Sequence, residues 1–243
     1  AYPMWIFAAV TVSMYYPQYF LSIGDFQLKG LIVPLLQIIM FGMGTSMSVK
    51  DFYGVIKMPK GVFVGVVCQF SIMPLVGFSL ATLFRFPPEI AAGVVLIGAS
   101  PSGLASNLMA YLANANLALS VTLTAVATLL APLMTPLLME FYAGEFVPID
   151  FWAMLFSIVK IVIVPIVLGL LFNYFFHGKV KWLDLILPKI SMAAIVLIIT
   201  IITAAGRDNL LSIGLFLILA AIIHNLLGYF LGYWSCRLFK MKE

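Results

Sequence analysis

The sequence predicts an all-α polytopic membrane protein, and three observations carry that prediction. Of 243 residues, 64% are hydrophobic and only 9% are charged, against roughly 25% charged in an average soluble domain. The apolar residues fall in long unbroken runs, without the period-2 alternation of a membrane β-barrel. Charged and helix-breaking residues gather between the runs. Lipid suits such a chain only if the backbone satisfies its own N–H and C=O groups, as a bundle of helices does.

Eight runs are long enough to be transmembrane segments, near 3–21, 31–49, 62–84, 89–112, 117–140, 151–176, 187–206 and 211–236. The breaks carry charge, proline or glycine: Lys50-Asp51, Lys57-Met58-Pro59-Lys60, Arg85 to Glu89, Asn114 to Asn116, Gly144 to Asp150, His177 to Lys181 and Arg207-Asp208. No linker between them is long enough to separate soluble domains. The chain opens inside an apolar stretch, so its N-terminus reads as trimmed, and no cleavable signal peptide is visible.

The net charge of +4 does not indicate a nucleic-acid partner, because the basic residues sit between apolar runs. Their distribution sets orientation instead. Nine (Lys50, Lys57, Lys60, Lys179, Lys181, Lys189, Arg237, Lys240 and Lys242) fall on the side of the N-terminus, and three (Lys29, Arg85 and Arg207) on the other. Both chain ends are therefore expected in the cytoplasm, with the protein in a bacterial inner membrane. Cys68 and Cys236 lie in separate runs and give neither metal spacing nor a disulfide framework.

A weak internal repeat is visible. Leu31-Ile32-Val33-Pro34 and Leu185-Ile186-Leu187-Pro188 open two long runs, and with a small gap Gln69 falls opposite His224. The second unit starts an odd number of helices after the first. The two would therefore be inverted in the membrane, as in many secondary transporters, and the second would be incomplete.

The most informative stretch is Gly98-Ala99-Ser100-Pro101-Ser102-Gly103-Leu104-Ala105-Ser106-Asn107, inside an apolar run. Pro101 removes a backbone donor and disfavours helix at Ser100, and Gly98 and Gly103 loosen both flanks. Two readings fit: a kinked helix healed by its neighbours, or a helix broken at mid-membrane. A break exposes carbonyls on one side and N–H groups on the other. The first suit a cation such as Na⁺, and the second an anion.

In the next run Ser120, Thr124 and Thr128 share one helical face. They read either as an oxygen stripe for a monovalent cation or as hydroxyls bonded back to their own helix. Gln69 and His224 are isolated polar residues in apolar surroundings, functional candidates by default. Gln37 reads as a packing contact. Lys160 reads as snorkelling to the outer headgroups, with the drawing of anions into a cavity as the alternative.

Residues 98–136 resemble the signature region of the bile acid:sodium symporter family. The resemblance rests on Ser100 to Asn107, Tyr111-Leu112-Ala113, Ala118 to Val126, Thr128 to Leu133 and Thr135-Pro136, together with Phe41-Gly42-Met43-Gly44 and Lys50-Asp51-Phe52. It implies ten helices in two inverted repeats, with helices four and nine broken and crossing. This chain would hold helices one to eight. Panel helices would occupy 1–49 and 151–206, core helices 62–142 and 211–238, and core helices nine and ten would be absent.

The resemblance further implies sodium ligands at Ser106, Asn107, Ser120 and Thr124 for one site and Gln69 for another. The remaining ligands would belong to helix nine, so both sites would be incomplete here. Substrate would meet Pro101, Ser102, Gly103, Leu104 and His224. Leu104 stands where members often carry Thr, which opens the identity of the substrate. The expected activity is sodium symport of an organic anion, a bile acid or a small carboxylate, by alternating access. Na⁺ is the coupling ion, with no cofactor and no other metal. The alternatives are a proton-coupled antiporter of similar fold and a non-transporting truncated form. An intramembrane protease is disfavoured, since paired membrane Asp residues and His-Glu-x-x-His are both missing from the sequence.

Overall fold

A computed structural model describes residues 2–47, 53–176 and 181–239. The loop residues Lys50-Asp51, His177, Lys179, Lys240 and Lys242, and with them part of the charge pattern read for orientation, lie outside the described residues. Among the described residues the regular structure is helical apart from one two-stranded hairpin, Ser22–Ile23 (β1) with Phe26–Gln27 (β2). Gly24, with φ of +59°, supplies the left-handed residue that its tight turn needs.

The helices are α1 (Tyr2–Tyr15), α2 (Gln18–Leu21), α3 (Ile32–Ser46), α4 (Tyr53–Lys57), α5 (Pro59–Leu83), α6 (Pro88–Ala99) and α7 (Leu104–Leu112). They continue with α8 (Leu117–Leu138), α9 (Phe151–Ile158), α10 (Val164–Phe176), α11 (Lys181–Ala205) and α12 (Arg207–Leu238). Among the described residues, five helical stretches are long and apolar enough to cross a membrane: Leu28–Ser46, Pro59–Leu83, Leu117–Ala143, Phe151–Phe175 and Arg207–Leu238. Met4–Tyr15, Pro88–Ala99 and Lys189–Ala205 are shorter apolar helices. The chain is an all-α, multi-pass integral membrane protein.

Two runs that read as single segments are interrupted. The run at 3–21 stops at Tyr15, because Pro17 disfavours helix at Tyr16 and starts a separate turn. The run at 89–112 divides into α6 and α7, so the broken-helix reading of the Ser-Pro-Ser-Gly stretch is the one the structure shows. A third run, 151–176, stays helical but passes through a π-helical turn at Val159–Ile163.

The chain falls into two compact units. One comprises Ala1–Ser48 with Lys160–Leu215, the other Val49–Val159 with Phe216–Glu243. In the first unit α3 packs on α10 and α11, and α1 packs on α11. The α3–α10 approach is backbone to backbone: a Cβ at Gly169 would meet the Phe41 carbonyl. Small residues at such crossings are how membrane helices gain van der Waals contact without a hydrophobic driving force.

In the second unit α5 packs on α6 and α8, α7 on α8, and α8 on α9. Val62, Phe70, Leu80, Val95, Ala125 and Ala131 are buried there. The α5–α6 approach again needs glycine, because a Cβ at Gly98 would meet the Met73 carbonyl. That contact fixes the end of α6 against the middle of α5, immediately before the interruption.

Candidate functional site

The site is built on the interruption between α6 and α7. Ser100 closes α6 in an extended conformation (φ −79°, ψ 149°), as the residue before Pro101 prefers. Gly103 is also extended (φ −94°, ψ 162°) and precedes α7 without a side-chain cap. Pro101 and Ser102 are half-buried and Gly103 is exposed.

The carbonyls freed at the end of α6 are met by side chains from three directions. Ser100 Oγ donates to the Leu96 carbonyl at 2.7 Å. Thr135 Oγ1, from α8, donates to the Ala99 carbonyl at 2.8 Å. Gln69 Nε2, from α5, donates to the Ser100 carbonyl at 3.0 Å. An unmet backbone group in hydrocarbon costs several kcal/mol, and these three bonds meet that cost for the carbonyls at the end of α6.

On the other side of the break the hydroxyls gather. Ser106 Oγ donates to the Gly103 carbonyl at 2.7 Å, and Ser102 Oγ lies 3.0 Å from Ser106 Oγ. One residue further, Asn107 Oδ1 accepts from Ser120 Oγ at 2.7 Å and lies 3.2 Å from Thr124 Oγ1. The turn between α7 and α8 makes this meeting possible. Asn114 takes the left-handed conformation (φ 53°) after α7, and Asn116 Oδ1 caps α8 by accepting from the Leu119 N–H at 3.0 Å. The chain reverses, and α7 lays Asn107 against the first turns of α8.

Chemically this is a set of neutral oxygens from one amide and several hydroxyls. The Thr124 hydroxyl also reaches the Ser120 carbonyl at 3.0 Å, so its hydrogen has an acceptor on its own helix while the oxygen stays toward Asn107. Such a set can present lone pairs to a hard monovalent cation. Among the described residues no group of three or more His, Cys, Asp or Glu could hold a metal ion. Thr128, the third member of the stripe, is buried and donates to the Thr124 carbonyl at 2.7 Å. Its role is the back-bonding one.

Beside the break a cavity of 390 Å³ opens between α5, Ser102, Ser106 and α12. Its polar lining includes Gln69, Ser102, Ser106 and Asn225. Gln69 and Ser102 also border an 80 Å³ chamber closed by Leu123 and Ala127. A larger groove of 630 Å³ lies in the first unit between α1 and α11. Its lining is almost wholly apolar, with Thr200 bonded back to the Val196 carbonyl, so size alone does not mark the site.

The structure thus brings Ser106, Asn107, Ser120, Thr124 and Gln69 into one unit around the break. His224 belongs to the same unit but does not line the cavity. It is 3% exposed, and its Nε2 lies 3.0 Å from the Met73 carbonyl. Leu104 opens α7, and its side chain lies outside the described residues. In the first unit, Gln37 does more than pack. Its Nε2 donates to the Lys160 carbonyl at 3.3 Å within the π-helical turn. Asn225, Gly228, Tyr229 and Gly232 of α12 also line the cavity. Their spacing puts them on one helical face, but nothing local in the sequence distinguished that face from the lipid-facing ones.

The comparison with known proteins decides the family. Residues 33–213 match the model of the sodium bile acid symporter family. The chain belongs to that family. An uncharacterized sodium-dependent transporter of Bacillus subtilis is 40% identical over 98% of this chain and 73% of its own length. A probable chloroplastic sodium/metabolite cotransporter of Arabidopsis thaliana is 31% identical over 98% of this chain but 58% of its own length. The human ileal sodium/bile acid cotransporter is 36% identical over 84% of this chain and 60% of its own length. The chain therefore spans about three fifths to three quarters of these relatives. All three are named as transporters or cotransporters, not as enzymes.

Proposed function

We propose that this chain is the greater part of a sodium-coupled symporter for organic anions. The observation that carries the reading is the meeting of Asn107 Oδ1 with the hydroxyls of Ser120 and Thr124 next to a broken membrane helix. Sodium held by Ser106, Asn107, Ser120 and Thr124 would be coordinated by the lone pairs of the oxygen cluster and would fix α7 against α8. Gln69, beside the cavity, is the ligand assigned to a second ion. The uncapped start of α7, with Pro101, Ser102, Gly103 and Leu104, would then offer N–H groups to a carboxylate or sulfonate. His224, the remaining residue assigned to substrate, would also hold α12 on α5 through the Met73 carbonyl.

A panel at 1–49 and 151–206 and a core at 62–142 and 211–238 remain the reading; the two compact units follow it except that residues 151–159 fall with the unit that holds 62–142 and 211–215 with the unit that holds 1–48. Alternating access would be movement of one against the other. An inverted repeat of five helices with helix four crossing helix nine, and both ends of the present chain in the cytoplasm of a bacterial inner membrane, complete the proposal. Transport requires that sodium and anion bind the two states with different affinity. The relatives' substrates, bile acids and metabolites, bracket the class of anion.

The test is thermal unfolding of the detergent-purified protein in sodium and in potassium, for wild type and Asn107→Ala. A sodium concentration ten times the dissociation constant would stabilise the protein by about 1.4 kcal/mol. Stabilisation in sodium alone, lost in Asn107→Ala, is the expected result. Identical melting in the two salts would remove the ion site from this chain.

A further inference from the structure

The two cysteines are far apart in sequence, yet the fold brings both to one place. Cys68 on α5 and Cys236 on α12 line the 390 Å³ cavity that also holds Gln69, Ser102 and Ser106. Both are free thiols of intermediate burial. The side chains of α5 facing the cavity recur at helical spacing through Gly65, Cys68 and Gln69, and those of α12 through Gly228, Gly232 and Cys236. Glycines flank both: a Cβ at Gly232 would meet nothing within 4 Å, so the cavity is open at that level. Further along, α12 is already anchored to α5, by His224 on the Met73 carbonyl and by Gly228 against the Met73 side chain. Cys236 lies about three helical turns beyond His224 on α12, and Cys68 lies five residues before Met73 on α5, so approach of the two cysteines would come from the ends of the helices beyond that anchor.

We propose that Cys68 and Cys236 form a thiol–disulfide switch that closes this cavity. The oxidant is a small-molecule disulfide. The thiolate of one cysteine attacks it, forming a mixed disulfide and releasing one small thiolate. The second cysteine, as thiolate, attacks the protein sulfur of that mixed disulfide, forming the Cys68–Cys236 bond and releasing the second small thiolate. The protein loses two protons and two electrons, and the reagent is reduced to two thiols. A disulfide holds its Cα atoms about 4.4–6.8 Å apart. The bond would therefore draw α12 onto α5 and remove the space that gives water and ions access to Gln69, Ser102 and Ser106. Before closure, the mixed disulfide itself would fill the cavity.

The inference concerns the cavity and does not require that sodium bind there. The test treats the purified full chain with oxidised glutathione and measures intact mass, linked peptides and amide exchange of the segment 100–107. The expected result is loss of two hydrogens, a peptide joining α5 to α12, and slower exchange across the break, all reversed by dithiothreitol. Cys236→Ser and Cys68→Ser should each stop at a mixed disulfide or show no change in mass. Failure to form the link while both thiols remain open to alkylation would overturn the proposal. So would a link that leaves exchange at 100–107 unchanged. The sodium-dependent melting of the oxidised and reduced proteins is a separate reading. If the reduced protein ignores sodium, the symporter reading fails while the switch stands or falls on mass and exchange.

Discussion

The stretch Ser100 to Gly103 and the π-helical turn at Val159–Ile163 both interrupt apolar helices, and both lie beside a proline. In the first unit, a π-type bond to the Lys160 carbonyl would come from residue 165, but Pro165 has no N–H. Gln37 supplies the missing donor at 3.3 Å, and the helix continues without opening. In the second unit, Pro101 sits between Ser100 and Ser102, both freed from helical bonding. Three separate side chains meet the carbonyls there, and the start of α7 remains uncapped beside a cavity. A polar side chain that gives its hydrogen to one stray carbonyl is a repair. Polar oxygens that converge on each other, as around Asn107, are left with lone pairs to offer.

The largest effect should come from the contact that sets up the break. Gly98→Ala would press a Cβ onto the Met73 carbonyl and should cost about 1–3 kcal/mol, as overpacking a close interface does. Gly93→Ala on the same helix meets nothing within 4 Å and should gain roughly 0.5–1 kcal/mol from helix propensity. Thermal or denaturant unfolding of the pair checks both. Equal behaviour would mean that the α5–α6 approach does not position the end of α6.

Thr135→Val comes next. It keeps the shape but removes the donor to the Ala99 carbonyl, leaving a buried acceptor unmet at about 1–2 kcal/mol. If the break is a site and not a repair, sodium stabilisation should weaken together with stability. An unchanged sodium response would confine Thr135 to structure.

Much of this was legible in the sequence, and the limits have physical causes. Pro101 and the flanking glycines act locally, through backbone donors and dihedral preference, so the place of the interruption could be read from the sequence, while the choice between a kink and a break depended on the neighbours that meet the freed carbonyls. Ser120 and Thr124 could be placed on one face because helical period is local too. What the period could not say is which hydroxyl meets a partner: Thr124 reaches Asn107, while Thr128 turns back to its own helix. The split of the first run at Tyr15 follows from Pro17, a signal that the apolar composition of 3–21 masked. The presence of Cys68 and Cys236 on one cavity and the anchoring of His224 depend on how α12 lies on α5. No local rule specifies that across more than 150 residues, and the apolar faces of α12 look alike in sequence. Gln37 was read as a packing residue because the π-helical turn it serves arises from another helix.

The smallest effect is the most selective. Gln37→Leu should cost about 0.6 kcal/mol, the average for a side-chain hydrogen bond between membrane helices, and should leave any sodium response untouched. Pro165→Ala restores an N–H within reach of the Lys160 carbonyl. If the bulge is a repair, the cost of Gln37→Leu should shrink toward zero in the Pro165→Ala background, a coupling that a double-mutant cycle reads directly. Additive costs would mean that Gln37 serves something other than that carbonyl, and the contrast between a mended helix and a functional break would have to be redrawn.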